Sequence, residues 1–202
     1  MLVGSNKKSF SANSDTTLML ALKHKGYISN SSLEQFKSQT TGKQLMLLPD
    51  SVTRPVKDGR GDMLVQSLKK TMELLSVNKK GFFIMAEGAQ IDYGGDANDL
   101  PYVVTELHDF DKAVAAALQF ADQGGQTLVL VTAEHETGGL TLLEASAEKG
   151  HIQGEFSTND HTNIMVPVYA YGPGSSAFRG TYPNTATFHK ILKVLAPAKS
   201  KK

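Results

Sequence analysis

Two apolar runs that each end in metal-liking side chains constrain this chain most. Phe82-Phe-Ile-Met-Ala86 leads into Glu87-Gly-Ala-Gln-Ile-Asp92, and Thr127-Leu-Val-Leu-Val-Thr-Ala133 leads into Glu134 and His135. Buried strands that deliver acids or imidazoles at their carboxyl ends bring those groups to one edge of a parallel sheet, where open α/β folds place ligands. The pattern therefore predicts an α/β protein with a metal site at a sheet edge.

The spacing of apolar residues supplies the remaining elements. Ser14-Asp15 ahead of Leu18, Leu22 and Gly26 reads as a capped, striped, glycine-terminated helix. Short strands are expected at Tyr27 to Ser29 and Gln44 to Leu48, with a short helix over Ser31 to Lys37 between them. Asp62 is a candidate cap for a helix with Leu64, Leu68, Met72 and Leu75 on one face. From Pro101 onward, Val103, Leu107, Phe110, Val114, Ala117 and Ala121 keep the helical period until Gly124-Gly125. A strand at Leu128 to Thr132, an irregular stretch from Glu144 to Asn159, a strand at Val166 to Tyr171 and a helix near Thr185 to Leu195 complete the series. Such alternation implies a mostly parallel sheet flanked by helices. One partial domain is expected over residues 1–195, with a frayed basic tail over 196–202.

Composition removes several function classes. The 202 residues carry 21 basic and 20 acidic side chains, a balance that argues against nucleic-acid binding, which depends on clustered positive charge. With no cysteine, a zinc ion would have to be held by histidine and carboxylate. No apolar run approaches the roughly 20 residues of a spanning helix, so no membrane partner is expected. Met1-Leu-Val-Gly-Ser lacks the regions of a signal peptide. The strand-like Leu2-Val-Gly4 starts without a preceding turn, so the chain reads as the later part of a longer protein.

The candidate metal ligands are Glu87, Asp92, Asp96, Glu134, His135 and His161, the last within Ser157-Thr-Asn-Asp-His-Thr-Asn163. Carboxylates with imidazoles suit zinc beside an all-oxygen magnesium site. Two ions about 4 Å apart hold the attacking and leaving oxygens of a phosphoryl group, and zinc-bound water reaches a pKa of about 7. Phosphate-ester hydrolysis is the natural reaction for that set. Asp92 to Asp99 is not a calcium loop, because Ala97 stands where glycine is required and Val103 where the last ligand belongs. Arg60-Gly-Asp62 reads as a turn with a helix cap.

The order Glu-Gly-x-x-Ile-Asp from Glu87, Thr-Ala-Glu-His-Glu-Thr-Gly-Gly from Thr132, then His161-Thr and Val166-Pro-Val-Tyr-Ala-Tyr-Gly-Pro173 resembles the alkaline phosphatase family. The resemblance runs over most of the chain and is densest from Lys79 to Gly174. It implies that Glu87 binds magnesium, that Asp92 and His161 serve a first zinc, and that Glu134 and His135 serve a second. Two positions depart from the family pattern. Asp96 stands where the family supplies a histidine to the first zinc, which predicts weaker zinc selectivity there. Glu134 replaces the usual aspartate and reaches one methylene further.

The family's nucleophilic serine, bridging aspartate and phosphate-clamping arginine have no match here. Asp50-Ser51 follows Pro49 in a loop unlike the family's helix start, and Arg54, Arg60 and Arg179 are not placed as the clamp. The resemblance thus implies an incomplete, carboxyl-terminal portion of an alkaline phosphatase-like fold. Such a portion would act on a phosphomonoester only when completed by the missing half and would hydrolyse little alone. A non-catalytic metal-binding or scaffold remnant and a related phosphomutase or sulfatase remain as alternatives. Open sheet edges would invite a homodimer, and the family resemblance implies a periplasmic or secreted location.

Overall fold

The computed structural model describes residues 1–4, 16–40, 43–47 and 53–195. The expected cap at Ser14-Asp15, the Asp50-Ser51 pair and the basic tail lie outside the described residues. Contacts divide the chain into two compact units, one of residues 1–94 with 99–116 and one of residues 95–98 with 117–202.

In the first unit, β1 (Leu2–Gly4), β2 (Tyr27–Asn30) and β3 (Lys43–Leu47) form a parallel sheet in the order β1-β3-β2. Parallel neighbours need a crossover. Helix α1 (Thr16–His24) separates β1 from β2, and α2 (Leu33–Lys37) separates β2 from β3. The Ser32 hydroxyl caps α2 by accepting from Gln35 N, which satisfies one of the amides a helix start leaves open. Asn30 Nδ2 donates to Gln44 Oε1 at 2.8 Å, so these buried polar side chains cross-link the two strands. Phe36 of α2 and Leu74 of α3 (Met63–Ser76) form a small core with Val3, Leu33 and Met63 against it.

Two expectations about helix faces need correction. Asp62 does precede α3, but its side chain makes no capping hydrogen bond and instead lies 3.7 Å from Lys112 Nζ. The buried stripe of α3 runs through Val65, Leu68, Met72 and Leu74, with Leu64 and Leu75 only half-buried. In α5 (Leu100–Gly124) the fully buried positions are Glu106, Asp109, Ala113, Ala116 and Ala121, while Leu107 is 52% exposed. The apolar periodicity gave the right helix: Ala121 is buried and Val103, Phe110, Val114 and Ala117 are half-buried, but Leu107 is exposed and the acids Glu106 and Asp109 take buried places.

An ion network accounts for the buried acids. Arg60 Nη2 bonds Glu106 Oε2 and, at 2.8 Å, Asp109 Oδ2, and Glu106 Oε1 accepts from Val56 N at 2.7 Å. The acids are 2% and the arginine 7% exposed. A guanidinium that presents several donors from one plane lets two carboxylates leave water together. Arg60 Nε and Asp109 Oδ1 stay without a hydrogen-bond partner.

Residues 81–88 carry no helix or strand, although a core strand is expected at Phe82 to Ala86. Burial still alternates there, Phe82 and Ile84 half-buried against exposed Phe83 and Met85, the period of two of extended chain. Helix α4 (Gln90–Asp96) follows.

The second unit pairs β4 (Val129–Thr132) with β9 (Val168–Tyr171), β5 (Glu136–Thr137) with β8 (His161–Thr162), and β6 (Thr141–Ser146) with β7 (His151–Glu155), all antiparallel. The α/β class therefore holds. Among the described residues, parallel pairing is confined to the first unit's three-stranded sheet. The stretch from Glu144 to Asn159, expected to be irregular, holds the end of β6 and all of β7, joined by a short link through Gly150, at φ 56°, that permits only antiparallel strands. The hairpin's register shift between Leu142 and Glu144 breaks the polar–apolar alternation that would have marked a strand. Helix α6 (Ala186–Leu195) ends the described chain.

Candidate metal centre

Strand β4 ends at Thr132, and the chain bends through Ala133, Glu134 and His135 before β5 begins. Strand β8 then crosses β5 with Glu136 opposite Thr162 and Thr137 opposite His161. That two-residue ladder puts His161 beside His135. Their rings stack with centroids 3.5 Å apart and planes inclined by 18°. Glu134 Oε1 lies 3.8 Å from His135 Nε2, with side chains 66% and 28% exposed.

This geometry fits a cation. Donors bound to one zinc at about 2.0–2.2 Å stand at most about 4.3 Å apart, and the Glu134–His135 spacing falls inside that limit. The donors are also reachable from solvent, as His161 is exposed and His135 half-buried.

Glu136 organises the surrounding backbone. Its Oε1 accepts from Leu140 N at 3.0 Å and its Oε2 from Gly139 N at 3.1 Å, and the Thr162 hydroxyl also donates to Oε2. Burial pushes the Glu136 carboxyl up, but the hydrogen bonds from Thr162, Leu140 and Gly139, helped by His135, outweigh it and hold the group below its ordinary value. Thr137 Oγ1 lies 3.2 Å from His135 Nδ1, a contact that restricts how the ring turns. The turn itself requires glycine. Gly138 and Gly139 have φ of 85° and 58°, and a Cβ on Gly138 would come within 2.6 Å of the Phe156 ring.

Of the six expected ligands, the second unit thus brings Glu134, His135 and His161 together. Asp96 also belongs to this unit and is exposed. It precedes the turn that Asn98 N closes on Gly95 O at 2.9 Å, and a Cβ on Gly95 would meet Thr137 Cγ2 at 2.8 Å, so the end of α4 packs on β5. Glu87 and Asp92 belong to the first unit, Glu87 exposed in the segment before α4 and Asp92 half-buried in the first turn of α4. Asp92 and Asp96 share a face of α4 because they are four residues apart. The four-residue interval is visible in the sequence, but the helix that carries it is not marked by apolar spacing. Glu136, Thr137 and Thr162 carry no signal of their own beyond Glu-Thr-Gly-Gly, which marks a tight turn whose acid can bond the glycine amides.

Comparison with known proteins gives a consistent picture. Residues 10–153 match the family model described as alkaline phosphatase. Alkaline phosphatase 4 of Bacillus subtilis is 27% identical over 98% of this chain and 58% of its own length. Alkaline phosphatase H of Pseudomonas aeruginosa is 34% identical over 65% of this chain and 31% of its own. The solved alkaline phosphatase of the Antarctic bacterium TAB5 superposes with a TM-score of 0.84 at 39% identity, covering 96% of this chain and 59% of that one. A single-residue variant of that enzyme, described with Mg bound in its M3 site, gives a TM-score of 0.82 at 37% identity, with the same coverage. The chain spans a little under three-fifths of the Bacillus subtilis and TAB5 proteins. With the family model matched over residues 10–153, this chain belongs to the alkaline phosphatase family.

Proposed function

We propose that this chain carries the metal-holding part of a phosphomonoester hydrolase, with zinc at two positions and magnesium at a third. His161, Asp92 and Asp96 would hold one zinc, Glu134 and His135 the other, and Glu87 the magnesium. Within the second unit, Glu134 offers a carboxylate oxygen and His135 and His161 offer ring nitrogens, donor types that suit zinc in a chain without cysteine. Ions held there would polarise a phosphoryl oxygen and lower the pKa of water.

The observation that carries this reading is the stacking of His135 on His161. Planes inclined by only 18° at a separation of 3.5 Å do not intersect within a metal–nitrogen bond of about 2.0–2.1 Å. In this arrangement the two in-plane lone pairs run side by side and do not converge, which favours one ion per ring over a single shared ion and supports a centre of two neighbouring ions.

Calorimetric titration of the metal-free chain with zinc, beside assays on an aryl phosphate and an aryl sulfate, tests the proposal. The expected result is uptake of two zinc ions, with slow phosphate release and no sulfate release. Binding no stronger than that of a His135→Ala, His161→Ala double variant would overturn it. Zinc uptake without hydrolysis even when the amino-terminal part of a relative is supplied would favour a non-catalytic metal-binding protein, a reading that the Asp96 and Glu134 departures support. Within the main reading the partner is a phosphomonoester once the chain is completed by the missing half, and a periplasmic or secreted location follows from the family resemblance. No helix among the described residues is long and apolar enough to cross a membrane.

A further inference from the structure

We infer that Glu136 is a positioning residue that sets the separation and tilt of His135 and His161, an inference that rests on the metal-binding reading above. Glu136 lies between His135 and Thr137 and faces Thr162 across the ladder, so one carboxylate stands next to both histidine-bearing backbones. A ladder two residues long holds its strands with few backbone hydrogen bonds. Here the side chain adds the missing tie. Oε1 and Oε2 take the amides of Leu140 and Gly139, which shapes the turn after His135, and Oε2 also takes the Thr162 hydroxyl, which ties that turn to the strand of His161. Bonds to an ionised acceptor are roughly twice as strong as neutral ones.

The remaining contacts make the tie consequential for the rings. Thr137, on the same short strand, reaches His135 Nδ1 at 3.2 Å. Gly138 N donates to Asp160 O at 3.0 Å, one residue before His161. Loosening the Glu136–Thr162 bond therefore lets β8 slide on β5 and changes the 3.5 Å ring stack, although neither residue is itself a ligand. Groups that orient metal ligands without touching the ion alter affinity by about 10–100-fold.

The test compares Glu136→Gln, Thr162→Val and Thr162→Ser in the whole chain, with cobalt(II) alone as the probe and two readouts. Ring nitrogen chemical shifts of His135 and His161 are recorded in the metal-free protein, and cobalt affinity is measured from its visible absorption. E136Q and T162V are expected to move both histidines' shifts, weaken cobalt binding about 10–100-fold and alter the band shape, while T162S, which keeps the hydroxyl, stays within about threefold of the parent chain. The inference is overturned if E136Q leaves the shifts and the cobalt spectrum unchanged, or if T162S is as weak as T162V. Failure of the parent chain to take up cobalt would count against the metal-binding reading alone. The metal-free shifts would still decide the role of Glu136, since a residue that merely caps its turn would move the Gly139 and Leu140 amides and leave the His161 ring where it was.

Discussion

The chain gathers acids in two places and treats them in opposite ways. In the first unit Glu106 and Asp109 are 2% exposed and share Arg60. In the second, Glu134 is 66% exposed beside a half-buried histidine. Buried carboxylates need a fixed positive partner, because the desolvation of a lone charge is prohibitive. Donors that are to receive a soluble cation must stay within reach of water. The first arrangement is closed, and the second is open to solvent.

Substituting Arg60 tests the closed side most severely. Arg60→Met should destabilise the chain by about 3–5 kcal/mol, the usual consequence of leaving buried charges without their partner, as read by urea unfolding. Adding Glu106→Gln and Asp109→Asn should recover much of that loss. A change below about 1 kcal/mol for Arg60→Met would mean that the acids are not buried as ions.

The open side should respond in affinity and not in folding. His135→Ala or His161→Ala should each lower zinc affinity by more than about 100-fold, beyond the effect of most orienting groups. Unfolding free energy of the metal-free chain should move by no more than about 0.5 kcal/mol for exposed His161. A large loss of stability in that variant would make the pair structural and erase the contrast.

Gly138 probes how firmly the open side is held. Gly138→Ala forces a side chain into a backbone with φ 85° and onto Phe156, so a cost of about 1–3 kcal/mol is expected, with weaker zinc binding in parallel. Unchanged melting and unchanged affinity would show that the turn does not set the histidines.

The smallest effect concerns Tyr171, whose hydroxyl donates to Asp122 at 2.6 Å. That hydrogen bond, then the Asp122 charge and burial, raises the phenol's pKa. The contact exists only while the phenol is protonated. Its contribution to stability is complete below the unfolded value of about 10 and is lost as pH rises through the higher folded value. Absorbance titration of Tyr171 should show the raised value, and Asp122→Asn should return it towards the ordinary one. Identical titrations would remove the bond from the account.

Much of this was legible in the chain itself. The long helix α5 followed from apolar spacing, and β4 and β9 from their β-branched and aromatic runs. Histidines 135 and 161 stood out through the residues around them. What escaped was set by partners distant in sequence. Periodicity counted Leu107 among the apolar positions, whereas Arg60, 46 residues from Glu106, gives Glu106 and Asp109 the buried places beside it. Glu136 looked like an ordinary surface acid until Thr162, 26 residues away, arrived across the ladder. The β6–β7 hairpin was hidden by a bulge that spoils alternation.

The sequence by itself determined which groups are available: an α/β succession of elements, a donor set of carboxylate and imidazole with no thiolate, and an order of motifs that places the chain in its family. Tertiary structure alone decided which acids are neutralised inside and which remain open, and how the two imidazoles face each other. The reason is physical. Local propensity and periodicity act over a few residues, while burial of charge and the orientation of a ligand depend on groups that only folding brings within a few ångströms.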